Sequence, residues 1–385
     1  MAIVGIICEY NPFHLGHASQ MGRIRRELGG DTAIVCLMSG NYVQRGEPAI
    51  FDRLARAKAA MESGANLVLE MPVTGSLSSA EGFAQKGVEI LSSLCDTLCF
   101  GSETADADAL KETAQALLDP AFCLHLKEHL KTGISFPAAR ARALEAMGVS
   151  GSLLALPNDI LAVEYTKAIL QQNSPMGILP IRRPGDYHAT SPDPENPSAT
   201  ALRRLLKTGE SWQSYVPQEA IPHFRDAAVH TLEAGERAIL YRLRRMTDAE
   251  FEALPYGSEC LWRRLMHACR EEASLEEIFS AVKTKRYTRT RLNRMMMCAY
   301  LEIDRETLCA PVPYTRILSF DDLGRGILNK HKASASLRPL GWKEDSPYAR
   351  LETRCNTLYD LFTCGPLPRP DAWQQQRVVR ISRPG

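Results

Sequence analysis

The 385-residue sequence contains neither of the usual glycine devices for holding phosphate. No GxGxxG follows the first apolar run, and neither GxxxxGKS nor GxxxxGKT occurs anywhere, so dinucleotide binding of the common kind and P-loop chemistry both lose their main support. There is no CxxC pair among the 11 cysteines, and an odd number scattered over apolar segments fits reduced core thiols better than disulfides or zinc. No stretch approaches the roughly 18 uninterrupted apolar residues of a membrane span, and no basic region precedes the short apolar run at the N-terminus. Spanning and secretion are therefore unsupported, and a cytoplasmic protein is expected. Charge of one sign is also missing: the net charge is +1. That balance hides an asymmetry, with 19 Lys and Arg against 23 Asp and Glu over residues 1–215, and 27 against 22 over residues 216–385. A basic second part permits a polyanionic partner without demanding one.

What is present is alternation. Five short runs rich in Val, Ile and Leu begin at Ala2, Thr32, Ala65, Asp96 and Met176. They are continuous rather than alternating, as strands covered on both faces should be. Segments of helical period lie between them: 17–28, 52–63, 78–94 and several from 107 to 170. The pattern predicts an α/β fold, a doubly wound parallel sheet in a Rossmann-like N-terminal domain (residues 1–215), followed by a mainly α-helical, basic C-terminal domain (residues 216–385), with the boundary between residues 210 and 220. The stretch from Pro366 onward, rich in Pro, Arg and Gln, reads as a frayed tail.

In doubly wound sheets ligands bind beyond the carboxyl ends of the strands. Polar clusters follow the strands here: Asn11 to His17 after the first, "SGNYVQRGEP" after the second, Gly101-Ser102-Glu103 after the fourth, and Arg182-Arg183 after the fifth. One ligand can therefore touch all four. His14-Leu15-Gly16-His17 opens a helix, where unpaired N–H groups and the dipole attract phosphate oxygens, and Gly16 allows close backbone approach. Two imidazoles at that point can donate hydrogen bonds to phosphate as charge builds in a transition state.

His14-Leu15-Gly16-His17 resembles the HxGH signature of the nucleotidyltransferase superfamily, and Ser198-Ala199-Thr200-Ala201-Leu202-Arg203 resembles its second signature, a Ser/Thr-rich turn followed by a basic residue. Further strings, among them "EYNPFHLGH", "GEPAIFDRLARAKAA", "GANLVLEMP", "PNDILAVEYTKAI", "NPSATALRRLL" and "KTKRYTRTRLNRM", are similar to the tRNA(Met) cytidine acetate ligase family. The resemblance implies an enzyme that activates acetate with ATP as acetyl-adenylate, then moves the acetyl group to N4 of the wobble cytidine of elongator tRNA(Met). It implies an ATP site formed by the loop from Ile7 to Gln20 (Ile7, Cys8, Glu9, Tyr10, Asn11, Pro12, Phe13, His14, Gly16, His17, Gln20) with Gly101, Asn158 and Arg183, where Arg182 can serve instead. Asn158 follows Pro157 at a helix start, a position suited to capping or to reading a nucleotide edge. His14 and His17 are then expected to stabilise the reacting phosphorus, and Thr200 and Arg203 to hold pyrophosphate. Magnesium is expected with the ATP, and no dedicated protein cage for it is visible. The alternative within the same fold is a transferase that joins a nucleotide to a small phosphorylated metabolite.

For RNA, residues 283–294 carry six basic side chains and no acid. Lys283, Lys285, Arg286, Arg289 and Arg291 can clamp phosphates, and Tyr287 can stack on a splayed base. His125 and His129 with Glu128 have the spacing of an inverted zinc-peptidase motif, but no third acidic ligand segment accompanies them, and no metal site is expected.

Overall fold

The architecture was read from a computed structural model, which describes residues 1–183, 197–284, 286–332 and 336–382. The five apolar runs are strands β1 (Ile3–Cys8), β2 (Ala33–Ser39), β5 (Leu67–Met71), β6 (Thr97–Ser102) and β7 (Gly177–Arg182), with a small hairpin of β3 (Tyr42–Val43) and β4 (Glu47–Pro48) after β2. The five are parallel, in spatial order β5-β2-β1-β6-β7. Order reverses between β1 and β6, the position at which such sheets bind ligands. Alternate residues enter different cores: Ile3, Ile7, Val35 and Leu37 pack on one face and Val4, Ile6, Ile34 and Met38 on the other. Burial on both faces is why these strands lack polar alternation.

The second part of the chain is mainly helical, yet it returns to the sheet. Strand β8 (Thr315–Phe320) lies antiparallel beside β5, and both β9 (Leu337–Pro339) and β10 (Val379–Arg380) pair with β8 in parallel. A buried ionic group fastens this addition. Arg53, at the start of helix α2 (Arg53–Glu62), reaches Glu70 at 2.7 Å, while Arg316 lies 3.1 Å from Glu352 and 3.8 Å from Glu70. The mutual pairing makes burial of four charges tolerable, since a lone one would be costly.

The expected frayed tail is a correction. Trp373 is buried, its Nε1 donates to Asp360 at 2.7 Å, and Arg53 lies over its ring at 5.4 Å. An aromatic anchor followed by a short strand outweighs the Pro- and Gln-rich composition around it. Among the described residues no helix is long and apolar enough to cross a membrane.

Candidate active site

β1 ends at Cys8 and the chain turns through Glu9 to Phe13 into helix α1 (Leu15–Leu28). Tyr10 sits at φ +46, a strained setting for a residue with a Cβ. Its ring is held 4.8 Å from both Phe13 and His17, and its hydroxyl lies 3.4 Å from the Cys36 sulfur.

The helix start is capped by the two histidines themselves. His14 Nδ1 accepts from the Gly16 N–H at 3.2 Å, and His17 Nδ1 accepts from the His14 N–H at 3.3 Å. With Nδ1 accepting in both rings, the hydrogen of each neutral imidazole sits on Nε2. The rings stack at 3.7 Å. His14 is fully buried, and its Nε2 has no hydrogen-bond partner among the described residues. Burial, then the nearby Arg183 and Arg203, pushes the His14 pKa down to about 3. His17 is lowered well below its ordinary value by burial, then by His14 and Arg183. Both rings are thus neutral Nε2–H donors near pH 7.

The second signature meets the first. Helix Ala199–Thr208 is capped by Ser198, whose hydroxyl accepts from the Ala201 N–H at 3.0 Å. Arg203 extends from it, donating through Nη1 to the Asn11 carbonyl at 2.7 Å and through Nη2 to Thr200 Oγ1 at 3.2 Å. Both segments line one cavity of about 290 Å³, near the lower end of the range for small-molecule sites.

Of the expected nucleotide-contacting residues, Ile7, Cys8, Glu9, Tyr10, Asn11, Gly16, His17, Gln20, Gly101, Asn158, Arg182, Arg183, Thr200 and Arg203 lie on the cavity wall. Pro12, Phe13 and His14 do not: they are buried, Phe13 in the core beneath α1 and His14 stacked against His17. Between the two candidate guanidinium groups, Arg183 is the one whose charge weighs on both imidazoles. A Cβ added at Gly101 meets nothing nearer than Arg183 Cδ at 3.7 Å, so the protein itself has room for one there.

Asn158 is not a cap. It lies in the first turn of helix Pro157–Gln171, and the exposed amides of that turn are served from outside by Glu103, whose carboxylate accepts from the Asn158 N–H (3.2 Å), the Asp159 N–H (2.8 Å) and Asn158 Nδ2 (2.7 Å). Asp159 reciprocates by accepting from Ser102 Oγ and from the Glu103 N–H. A carboxylate only accepts, so the Asn158 amide nitrogen must face Glu103 and its Oδ1 is left as the group for other partners.

Sequence reasoning missed Arg23, Phe83 and Tyr165 on the wall. Arg23 had a signal: His17, Gln20 and Arg23 recur every third residue along α1. Its guanidinium donates to the Arg182 carbonyl at 2.6 Å, tying α1 to the end of β7. The cluster after the second strand contributes Gln44 and Arg45, carried by the β3–β4 hairpin.

The basic stretch lies off this wall. Lys283 caps the helix Leu275–Val282 at its C-terminus, and Lys285 lies outside the described residues. Arg286 pairs with Glu259, Arg289 pairs with Glu276 at 2.8 Å, and Arg291 donates to the Tyr256 carbonyl at 2.8 Å. Tyr287 corrects the stacking expectation: it is 6% exposed, packed in the helical core, with its hydroxyl on the Glu259 carbonyl at 3.1 Å. Its apolar ring face is spent on packing, and no base can lie against it in this arrangement. Helix Arg289–Leu301 instead grips the hairpin, through Arg294 to the Gln44 carbonyl (3.3 Å) and Asn293 to Glu47 (3.1 Å).

Among the described residues no group of three His, Cys, Asp or Glu side chains is placed to hold a metal ion. His125 and Glu128 form a solvent-facing pair 3.8 Å apart.

Comparison with known proteins finds relatives along the length of the chain. The HIGH nucleotidyl transferase family model matches residues 1–364. The chain is 35% identical over 386 residues to the tRNA(Met) cytidine acetate ligase of Bacillus subtilis, covering 94% of this chain and 92% of that protein. It is 33% identical over 358 residues to that of Clostridium perfringens, covering 88% and 89%. A crystal structure of Thermotoga maritima TmcAL without ligand superposes with a TM-score of 0.89 at 28% identity, and one bound with alpha-thio ATP with 0.88 at 27%, each over 100% of both chains. A helix opened by two imidazoles and a serine-threonine turn sharing its cavity are thus set in a chain alike from end to end, and the chain belongs to the tRNA(Met) cytidine acetate ligase family within the HIGH nucleotidyl transferases.

Proposed function

We propose that the protein is an ATP-dependent ligase that activates acetate as acetyl-adenylate, releasing pyrophosphate, and transfers the acetyl group to N4 of the wobble cytidine of elongator tRNA(Met) in the cytoplasm. The observation that supports this most is the meeting of His17, Thr200 and Arg203 on one cavity wall at the switch point of the sheet. The relatives named above add the substrate class.

Adenylation needs placement and charge stabilisation more than a protein nucleophile: acetate oxygen attacks the α-phosphorus while pyrophosphate leaves. The Nε2–H of His17 donates to the α-phosphate, the buried Nε2–H of His14 backs it, and Thr200, Arg203 and Arg183 hold the leaving pyrophosphate. Preset donors of this kind avoid reorganisation as charge develops. Gly101 leaves open space beside the ribose or base, and Asn158 Oδ1 accepts from the nucleoside. Magnesium enters on the triphosphate; the described residues of the wall offer it no chelating set, and no step here depends on one. Residues 216–385, with Lys283, Lys285, Arg286, Arg289 and Arg291, serve the tRNA, with ion pairs to Glu259 and Glu276 exchanged for phosphate contacts.

The deciding experiment incubates purified protein with ATP, labelled acetate and bulk tRNA, then digests the RNA to nucleosides. Labelled N4-acetylcytidine is the expected product. A nucleotide joined to a small metabolite, with no label on RNA, would refute the reading.

A further inference from the structure

The second chemical step lacks a proton acceptor in the roles assigned so far. N4 of cytidine is a poor nucleophile because its lone pair is drawn into the ring, and a proton must leave it if a neutral amide is to form. Neither histidine can take that proton: each Nδ1 already accepts a backbone N–H, and each Nε2 carries the hydrogen. The arginines stay protonated. The Cys8 thiol and Tyr10 hydroxyl, both pushed up chiefly by burial, also keep their protons.

One carboxylate remains. Glu9 is the only acidic side chain among the described residues lining the cavity, where it faces a wall carrying Arg23, Arg45, Arg182, Arg183 and Arg203. In a chamber meant for acetate and a triphosphate, a carboxylate repels both ligands, so ATP binding alone does not account for it. Its placement is specific. Oε1 accepts from the Gln44 N–H at 2.6 Å, and Oε2 takes no hydrogen bond from any described residue. The hairpin that pins Oε1 is the one gripped by Arg294 and Asn293 at the start of the basic helix. The wall carrying Glu9 is therefore fastened to the segment proposed for tRNA.

We propose that Glu9 is the catalytic base of acetyl transfer, an inference that rests on the ligase reading above. N4 attacks the acetyl carbonyl carbon of acetyl-adenylate and forms the C–N bond, while one N4 proton passes to Glu9 Oε2. The tetrahedral centre collapses, the bond from carbon to the phosphate oxygen breaks, and its electron pair leaves on AMP. Glu9 then releases its proton to solvent, so the products are N4-acetylcytidine, AMP and a proton.

Glu9→Gln separates the two steps, because its amide oxygen still accepts from the Gln44 N–H while the base is gone. Acetate-dependent ATP–pyrophosphate exchange reads the first step, and single-turnover transfer from enzyme-bound acetyl-adenylate to tRNA reads the second. Transfer should fall by about 10²-fold or more, and exchange by less than about tenfold. Glu9→Asp should recover part of the transfer rate. Equal losses in both steps would make Glu9 structural and overturn its role, as would transfer at the wild-type rate in Glu9→Gln. Absence of acetate-dependent exchange in the wild-type protein would overturn the ligase reading itself, an outcome distinguishable from a wild type active in both steps beside an equally active variant.

Discussion

At Gly46 the hairpin that carries Gln44 and Arg45 of the cavity wall packs against the backbone of helix Arg289–Leu301. This glycine occupies the β3–β4 turn at φ +77, and a Cβ built on it would lie 2.3 Å from the Arg294 amide nitrogen and 2.4 Å from the Asn293 carbonyl carbon. Gly46→Ala meets two penalties. A side chain in the left-handed region costs roughly 1–2 kcal/mol, part of which, about 0.4–1 kcal/mol, is returned because the unfolded chain becomes less free. The overlap is with helix backbone rather than a side-chain tip, so relief requires moving the hairpin or the helix, typically about 1–3 kcal/mol. The net is about 2–4 kcal/mol. Gly133 supplies the control: it has φ +81 and nothing within 4 Å of its Cβ position, so Gly133→Ala meets the backbone cost alone. Urea unfolding midpoints of the two variants, at equal slope, measure the difference. Gly46→Ala should be the less stable by at least about 1 kcal/mol, and equal losses would show that hairpin and helix are not in the contact described.

The histidine pair sets an acid limit. Both folded pKa values lie below the unfolded one, so proton uptake favours unfolding; the stability is complete above about pH 6.5 and is lost as pH falls toward 3. His14 alone should cost about 2 kcal/mol at pH 5, and urea midpoints at pH 7.5 and 5 should fall less steeply in His14→Gln; an unchanged slope refutes the assignment. His17→Ala should lower acetate-dependent pyrophosphate exchange about a hundredfold while filter-binding affinity for tRNA stays near wild type; equal loss of both would point to misfolding. Glu103→Ala and Asn158→Ala should each weaken ATP binding about tenfold by calorimetry, and the double variant should bind no worse than the weaker single, because Glu103 acts through Asn158. Additive losses would separate the two residues.

The five parallel strands are legible because burial on both faces demands unbroken Val, Ile and Leu. The same rule hides β8, where Thr315, Arg316 and Ser319 interrupt the run to serve the ionic group and the neighbouring strand. β9 and β10, at three and two residues, are too short to carry a pattern. In the site, both signatures are local and readable, whereas the pairing of Glu103 with Asn158 spans 55 residues and leaves no trace in spacing. Tyr287 shows the opposite failure: a charged neighbourhood suggested an exposed ring, but alternation of contacts along the segment turns that ring inward while the arginines find acids and carbonyls outside.

The antiparallel neighbour of β5 has a consequence for biosynthesis. β5 leaves the ribosome about 240 residues before β8 is made, an interval of roughly 10–50 s at ordinary elongation rates. Throughout that time Leu67–Met71 presents a bare hydrogen-bonding edge of almost wholly apolar composition, the kind that invites intermolecular pairing. The nascent N-terminal half is therefore an incomplete sheet, shielded only when the last quarter of the polypeptide arrives.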